Sequence, residues 1–271
     1  MIRIFSILVG AFFSLALLWS AGKGTVAYIS EPPAKTVEAT FHEHPKHLAL
    51  SSDGPFGKFD RQQLQRGFQV YSEVCATCHA LKHVSYRDLA EIGYNEAEVK
   101  AIAAKAQIPE YNKNTGEVKM HPGMAKDHFP PVVYGGAGSP PDLSLIAKAR
   151  HGGAAYIYSL LTGYGEQPAE VLKKFPDAKT PDGLFWNPYF ANLNIAMPQP
   201  LVAEGQVAYK DGTKATVDQM ATDVSAFLVW TAEPKLEKRN QTGWPVIGFL
   251  IFATVLAYMA YRTVWAGKKG H

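Results

Sequence analysis

The chain is poor in cysteine: of 271 residues only Cys75 and Cys78 carry a thiol, both inside EVCATCHAL. That scarcity excludes a disulfide framework and a four-cysteine zinc module. No βαβ pattern surrounds the pair, as a thioredoxin-type dithiol requires. Cys75, Cys78 and His79 offer zinc at most three cramped ligands, so only recruitment from the nine histidines keeps zinc open. No basic stripe is present either. Net charge is +3, and setting aside Arg3, Lys23, Arg262, Lys268 and Lys269 leaves 22 basic against 24 acidic residues. A slightly acidic body of this kind has no nucleic-acid footprint. Internal repeats and low-complexity tracts are absent. The composition is otherwise globular, 47% hydrophobic and 19% charged, with 23 Gly and 18 Pro marking many ordered loops.

Charge is also missing locally, in two places. Ile4 to Ala21 is apolar after a single Arg3, and small residues follow. This pattern predicts a secretory signal peptide over residues 1–27, or a retained signal anchor. From Asn240 to Tyr261 there is no charged residue, and Lys238–Arg239 and Arg262 flank the stretch. Trp244, Tyr258, Tyr261 and Trp265 stand near its ends, so residues 240–262 read as one transmembrane helix. Basic residues in the tail 263–271 place that tail in the cytoplasm and the body, 28–239, on the periplasmic side of a bacterial inner membrane.

Cys-x-x-Cys-His in an exported chain is the signature of covalent haem attachment: two thiols join the vinyl groups and the adjacent histidine ligates iron. The cysteines need to sit about one helical turn apart to reach opposite edges of one rigid macrocycle. Upstream, Leu64, Phe68, Tyr71 and Cys75 fall on one helical face, with Asp60 as N-cap. Gly67 lies mid-helix, where glycine costs about 1 kcal/mol; a close helix–helix approach is one explanation, chance the other. For the second axial ligand, Met197 in NIAMPQPL leads because Pro198 and Pro200 stiffen its loop. Met120 and Met124 in KMHPGM are the alternatives. Methionine with histidine raises the reduction potential.

Pro140–Pro141–Asp142 reads as a turn and a capped helix start, and Tyr156, Tyr158, Leu160 and Leu161 as a second short helix ending at Gly163. Arg150 is either a haem-propionate donor or an ordinary solvated arginine. Residues 217–233 read as an amphipathic helix, the partner of the Gly67 helix; 113–120 and 202–213 read as loops or a short hairpin.

Taken together, GPFGKFDRQQLQRGFQVYSEVCATCHAL, DHFP, PPDLSLIAKARHGG, YIYSLLTGY, NPYF, IAMPQPL and DVSAFLVWTAEP, followed by the terminal span, resemble the cytochrome c1 family, the haem subunit of cytochrome bc complexes. The resemblance implies a mostly α fold: a class I c-type cytochrome-like haem domain with long loop insertions and one C-terminal transmembrane helix. It implies one covalent haem c on Cys75 and Cys78, axial ligands His79 and Met197, a propionate contact from Arg150, and a pocket lined by Pro140, Pro141 and Tyr156. Implied partners are cytochrome b, the Rieske iron–sulfur protein as electron donor and a soluble or tethered cytochrome c as acceptor, in a dimeric complex within the lipid bilayer. The rival is a membrane-anchored c-type haem enzyme or sensor with an open iron site. Two departures from the family pattern stand out. Gln199 interrupts the proline run after Met197, and Ala154–Ala155 stand where an acid commonly precedes the tyrosine at 156. The short start with Arg3 points to a bacterial member.

Overall fold

A computed structural model describes residues 2–32, 34–136 and 138–267. Met1 and, in the expected tail 263–271, Lys268 to His271 lie outside them. Helix α1 (Ile2–Ser30) holds the first apolar run; it buries no residue and continues past position 27, where the expected leader boundary falls. A short α2 (Val37–Phe41) is capped by the Thr36 hydroxyl, which accepts from the amide of Ala39.

The domain proper begins with α3 (Arg61–Val70). Asp60 is its N-cap, accepting from the amides of Gln62 and Gln63, so two of the four otherwise orphaned helix-start donors are satisfied. The expected continuous α-helix through Cys75 is not what forms. Tyr71–Cys75 is a π-turn, closed by the Ala76 amide on the Tyr71 carbonyl at 2.8 Å. The wider turn lets Tyr71 and Val70 both face the core while Cys75 packs only partly against it. Such turns recur at functional sites.

A 3₁₀ segment (Tyr86–Ile92), started by a Ser85–Asp88 capping box, leads to α4 (Glu96–Ala103), which carries a second box from Asn95 and Glu98. Strands β1 (Gln107–Tyr111) and β2 (Val118–Pro122) pair antiparallel, Gln107 opposite Pro122; the expected short hairpin around 113–120 is therefore real. Then come α5 (Ile146–Ala149), α6 (Gly153–Leu161) and α7 (Ala169–Lys174), followed by the two-residue strands β3 (Phe185–Trp186) and β4 (Asn194–Ile195), paired with each other. Residues 202–213 contain no strand. The architecture is mostly α, with long ordered loops. Asp142 does not cap a helix: α5 starts only at Ile146, and the Asp142 carboxylate instead accepts from the Ser144 and Lys82 amides.

Helix α8 (Val217–Ala232) packs on α3, α5 and α6. It is not amphipathic as expected but buried on nearly every side, including Asp223 and Ser225 at 0% exposure. Position 67 explains the α3–α8 contact: a Cβ there meets the Asp223 carbonyl oxygen at 2.1 Å and the Phe227 Cβ at 2.7 Å. Gly67 is therefore required by a backbone-to-backbone approach. Gly67→Ala gains about 1 kcal/mol of helix propensity but forces the helices apart, an overpacking cost of about 3 kcal/mol or more. A net loss of about 2 kcal/mol is expected in the denaturation midpoint; a stabilised variant contradicts the close approach.

Phe68 and Tyr71 both meet Phe227, at 5.6 and 5.8 Å between ring centroids, and Phe227 meets Trp230 at 5.6 Å. This aromatic wall backs the Cys-x-x-Cys-His segment. The last element, α9 (Leu236–Trp265), begins four residues before the uncharged run and is long and apolar enough to cross a membrane, with none of its apolar window buried.

Candidate haem site

Cys75 ends the π-turn, and its carbonyl accepts from the amides of both Cys78 and His79, at 3.1 and 2.9 Å. One carbonyl thus gathers the three motif residues into a single tight turn. Neither cysteine is in a disulfide. Cys75 retains some residue exposure, yet its sulfur packs against the core. Burial first, and Cys78 second, pushes its thiol up to about 12.

The His79 ring is fixed from behind. Its Nδ1 lies 2.7 Å from the Pro141 carbonyl. A carbonyl only accepts, so Nδ1 carries the proton and the Nε2 lone pair is left for a metal. Tyr71 adds a second restraint, donating its hydroxyl to the His79 carbonyl at 2.8 Å. Residues 140–144 are laced to 79–83: Leu143 amide to Ala80 carbonyl at 2.9 Å, Lys82 amide to Asp142 at 2.9 Å, His83 amide to Ser144 hydroxyl at 3.1 Å. Pro141 is thereby given a defined role. Pro140 is half-buried beside it.

Asp142 is the acid-sensitive part of this lacing. Burial raises its pKa, but the Lys82 and Ser144 donors outweigh burial and hold the carboxyl below its ordinary 3.8. A depressed carboxyl stabilises the fold above the ordinary value, and that stabilisation disappears as pH falls through the folded one. Asp142→Asn is expected to cost about 1 kcal/mol at neutral pH. The gap from the parent should hold from about pH 6 to about 4 and narrow as pH falls further toward about 2. Denaturation midpoints of the haem-loaded protein across that range check this; a constant gap contradicts it.

Arg150 is exposed, and its guanidinium reaches back to the Ala149 carbonyl at 3.4 Å and to the Tyr156 hydroxyl. Burial raises the Tyr156 pKa, and Arg150 partly offsets that. Tyr164, which sequence reasoning missed, lies near Tyr156 and donates to the Met197 carbonyl at 3.0 Å. Contacts therefore run from Arg150 through Tyr156 and Tyr164 to Met197.

The Met197 loop is rigid for reasons beyond its prolines. Gln199, the departure in the proline run, donates to the Leu201 carbonyl at 2.9 Å; Gln206 donates to the Pro200 carbonyl at 2.8 Å and accepts from the Val202 amide at 2.9 Å. Side-chain bonds here replace a missing pyrrolidine. Upstream, fully buried Asn187 donates to the Leu160 carbonyl at 2.8 Å, and its backbone amide donates to Leu193 at 2.8 Å. Leu193 sits at φ 65°, a left-handed conformation costing roughly 1–2 kcal/mol for a bulky residue. Buried bonds over-determine it, four residues before Met197. By contrast, Met120 and Met124 are 57% and 46% exposed on the β1–β2 hairpin and its exit.

A separate cavity of about 890 Å³ is lined by Arg66, Phe68, Tyr71, Tyr94 and Phe129, among others, and by none of Cys75, Cys78, His79, Arg150, Tyr156 or Met197. Among the described residues no group of three His, Cys, Asp or Glu side chains could hold a bare metal ion. A Cys-x-x-Cys-His turn with free thiols and a histidine oriented to present Nε2 suits a covalently held haem.

Fold and site together define a c-type haem protein with an apolar helical tail. The description Cytochrome C1 family matches residues 50–268. Cytochrome c1 of Rhodospirillum rubrum is 41% identical over 233 residues, covering 80% of this chain and 85% of the relative. Cytochrome c1 of Cereibacter sphaeroides is 40% identical over 263 residues, covering 84% and 89%. A cytochrome b/c1 polypeptide of Bradyrhizobium diazoefficiens is 43% identical over 237 residues, 79% of this chain but 34% of the longer relative. The chain belongs to the cytochrome c1 family. It is an electron-transfer subunit with covalently bound haem c as its cofactor, and its Cys75–Cys78–His79 run matches that attachment.

Proposed function

We propose that this chain is the electron carrier between the Rieske iron–sulfur protein and a soluble or tethered cytochrome c in a dimeric quinol–cytochrome c reductase, assembled with cytochrome b. Residues 1–27 are its leader or anchor, 28–239 the haem domain on the periplasmic side, 240–262 the membrane span and 263–271 the cytoplasmic tail. The observation that carries the reading is the His79 ring, pinned through Nδ1 to the Pro141 carbonyl with Nε2 left for iron. The fusion of a cytochrome b and a cytochrome c1 name in one relative supports the first partner.

Haem, when bound, supplies a one-electron couple. The chain's own residues do the rest. Cys75 and Cys78 tether the macrocycle; His79 donates an imidazole nitrogen of fixed tautomer, made more basic by the Pro141 acceptor. Met197 donates a thioether that favours the reduced state, from a loop held by Tyr164, Gln199 and Gln206. Arg150 presents a planar charged donor suited to a carboxylate, with Tyr156 beside it, while Pro140 and Pro141 line the pocket on the His79 side.

Co-purification is the test. Solubilised membranes bearing an affinity tag on this chain should yield a multi-haem cytochrome b and an iron–sulfur protein with quinol–cytochrome c reductase activity. Recovery of a red but solitary chain, with ready CO binding, contradicts the assignment and favours an open iron site.

A further inference from the structure

Loop 51–59 is unusually well fixed for a connection that ends in an exposed aromatic. The Leu50 amide donates to Asp53 at 2.8 Å, the Lys58 amide to the Ser51 carbonyl at 2.9 Å, and the Asp60 amide to the Ser51 hydroxyl at 3.2 Å. A Cβ at Gly57 meets the Ser52 carbonyl oxygen at 2.1 Å, so the loop folds on its own backbone there. The loop is also clamped to the first turn of α9. Glu237 accepts from the Phe59 amide at 2.7 Å and pairs with Arg61 at 2.9 Å. From that clamp the chain runs along the helix: the Phe56 ring stacks on Trp244, centroids 5.0 Å apart and planes 8° apart. Glu237 and Trp244 are seven residues apart on one helix face, about 10 Å along the axis. Phe59 meets Glu237 and Phe56 meets Trp244, so the loop descends beside α9 toward its apolar run.

Trp244 stands at the start of that run, where amphipathic aromatics occupy the membrane–water boundary. Phe56 is 75% exposed and Trp244 45%. A lone exposed phenylalanine needs no explanation, but this one is held within a ring's thickness of an interfacial tryptophan, whatever the tilt of the helix. Exposed Lys58, Lys238 and Arg239 lie on the domain side of the pair, the level of lipid phosphates.

We propose that loop 51–59 is a membrane-contacting foot of the haem domain: Phe56, stacked on Trp244, enters the headgroup–acyl boundary of the bilayer and gives the domain a second point of support beside α9. The inference rests on α9 spanning the bilayer. Two supports fix the tilt of the domain over the membrane, which a single helix with a flexible junction does not.

Nitroxide depth measurement tests it. With both native thiols held as thioethers, a new cysteine is the only free one. The full haem-loaded chain, in phosphatidylcholine–phosphatidylglycerol vesicles, is spin-labelled in turn as Phe56→Cys, Pro55→Cys (which keeps the stack), Thr115→Cys at the hairpin tip and Phe252→Cys within α9. Relaxation by oxygen is compared with relaxation by a water-soluble nickel chelate. Labels at 55 and 56 should favour oxygen several-fold over the label at 115, and lie between 115 and 252. Labels at 55 and 56 that match 115 overturn the foot while leaving the span intact. Shielding from both reagents means protein covers the loop, which also overturns it. Nickel access at 252 removes the span itself, and the foot with it.

Discussion

Met197→Leu is expected to lower the reduction potential by on the order of 100 mV or more and to abolish quinol–cytochrome c reductase turnover, while leaving the fold intact. Leucine has nearly the volume of methionine, so at a half-buried position the packing cost stays under about 1.5 kcal/mol. What leucine cannot supply is a thioether. The variant therefore separates ligation from packing: a large change in potential accompanies a small change in denaturation midpoint. The red charge-transfer band of the ferric protein should vanish and CO binding should appear. An unchanged potential would mean that another side chain ligates iron, and Met120→Leu and Met124→Leu would then identify it. The structure weighs against those two, because their side chains are exposed on the hairpin and its exit, whereas Met197 is half-buried. Tyr164, Gln199 and Gln206 restrain three consecutive stretches of the 197–202 loop.

Asp223→Ala is expected to cost about 3–5 kcal/mol of stability. The Asp223 carboxylate has no exposure and accepts from Arg66 at 2.8 and 3.3 Å, from Gln63 at 3.2 Å and from Gln219 at 2.9 Å. Arg66 is itself mostly buried, over the Tyr209 ring at 5.8 Å, and reaches Asp211 at 2.8 Å. Removing Asp223 leaves a guanidinium in the α3–α8 seam with only the outer carboxylate, and two amides without acceptors. For a domain of this size the loss corresponds to a fall in Tm of roughly 6–20 °C. Thermal unfolding of the haem-loaded full chain, followed at the Soret band and by far-ultraviolet circular dichroism, measures it. Asp223→Asn keeps the shape and part of the bonding and should fall between. A shift of under about 2 °C for Asp223→Ala would show that the pair is not the lock between the helices.

The same seam shows why some features were legible in the sequence and others were not. Asp60 as a cap and the long apolar helix over the uncharged run follow from short-range rules, capping donors and a run without charge. Those rules act within a few residues. Gly67 stays open between helix contact and chance until α8 is set against it. The α8 helix misled, because one apolar stripe with polar residues between reads as a surface helix. Asp223 and Ser225 lie off that stripe, yet partners 157 and more residues distant, or a carbonyl of the same helix, satisfy them inside the core. Likewise Asp142 looks like a helix cap because Asp after proline usually is one, and the competing acceptor role toward Lys82 has no local trace. The π-turn at Tyr71–Cys75 is a third case, since periodicity alone does not distinguish 3.6 residues per turn from a single wider turn.

By itself the sequence determined the cofactor chemistry and the apolar ends, because cysteine spacing and absence of charge act on neighbouring atoms. Tertiary structure alone decided which carbonyl orients His79, which hydroxyl holds Met197 and which aromatic meets Trp244. Each of those contacts joins residues 33 to 188 positions apart. Closing such distances depends on how whole helices pack, and one-dimensional patterns carry no record of that.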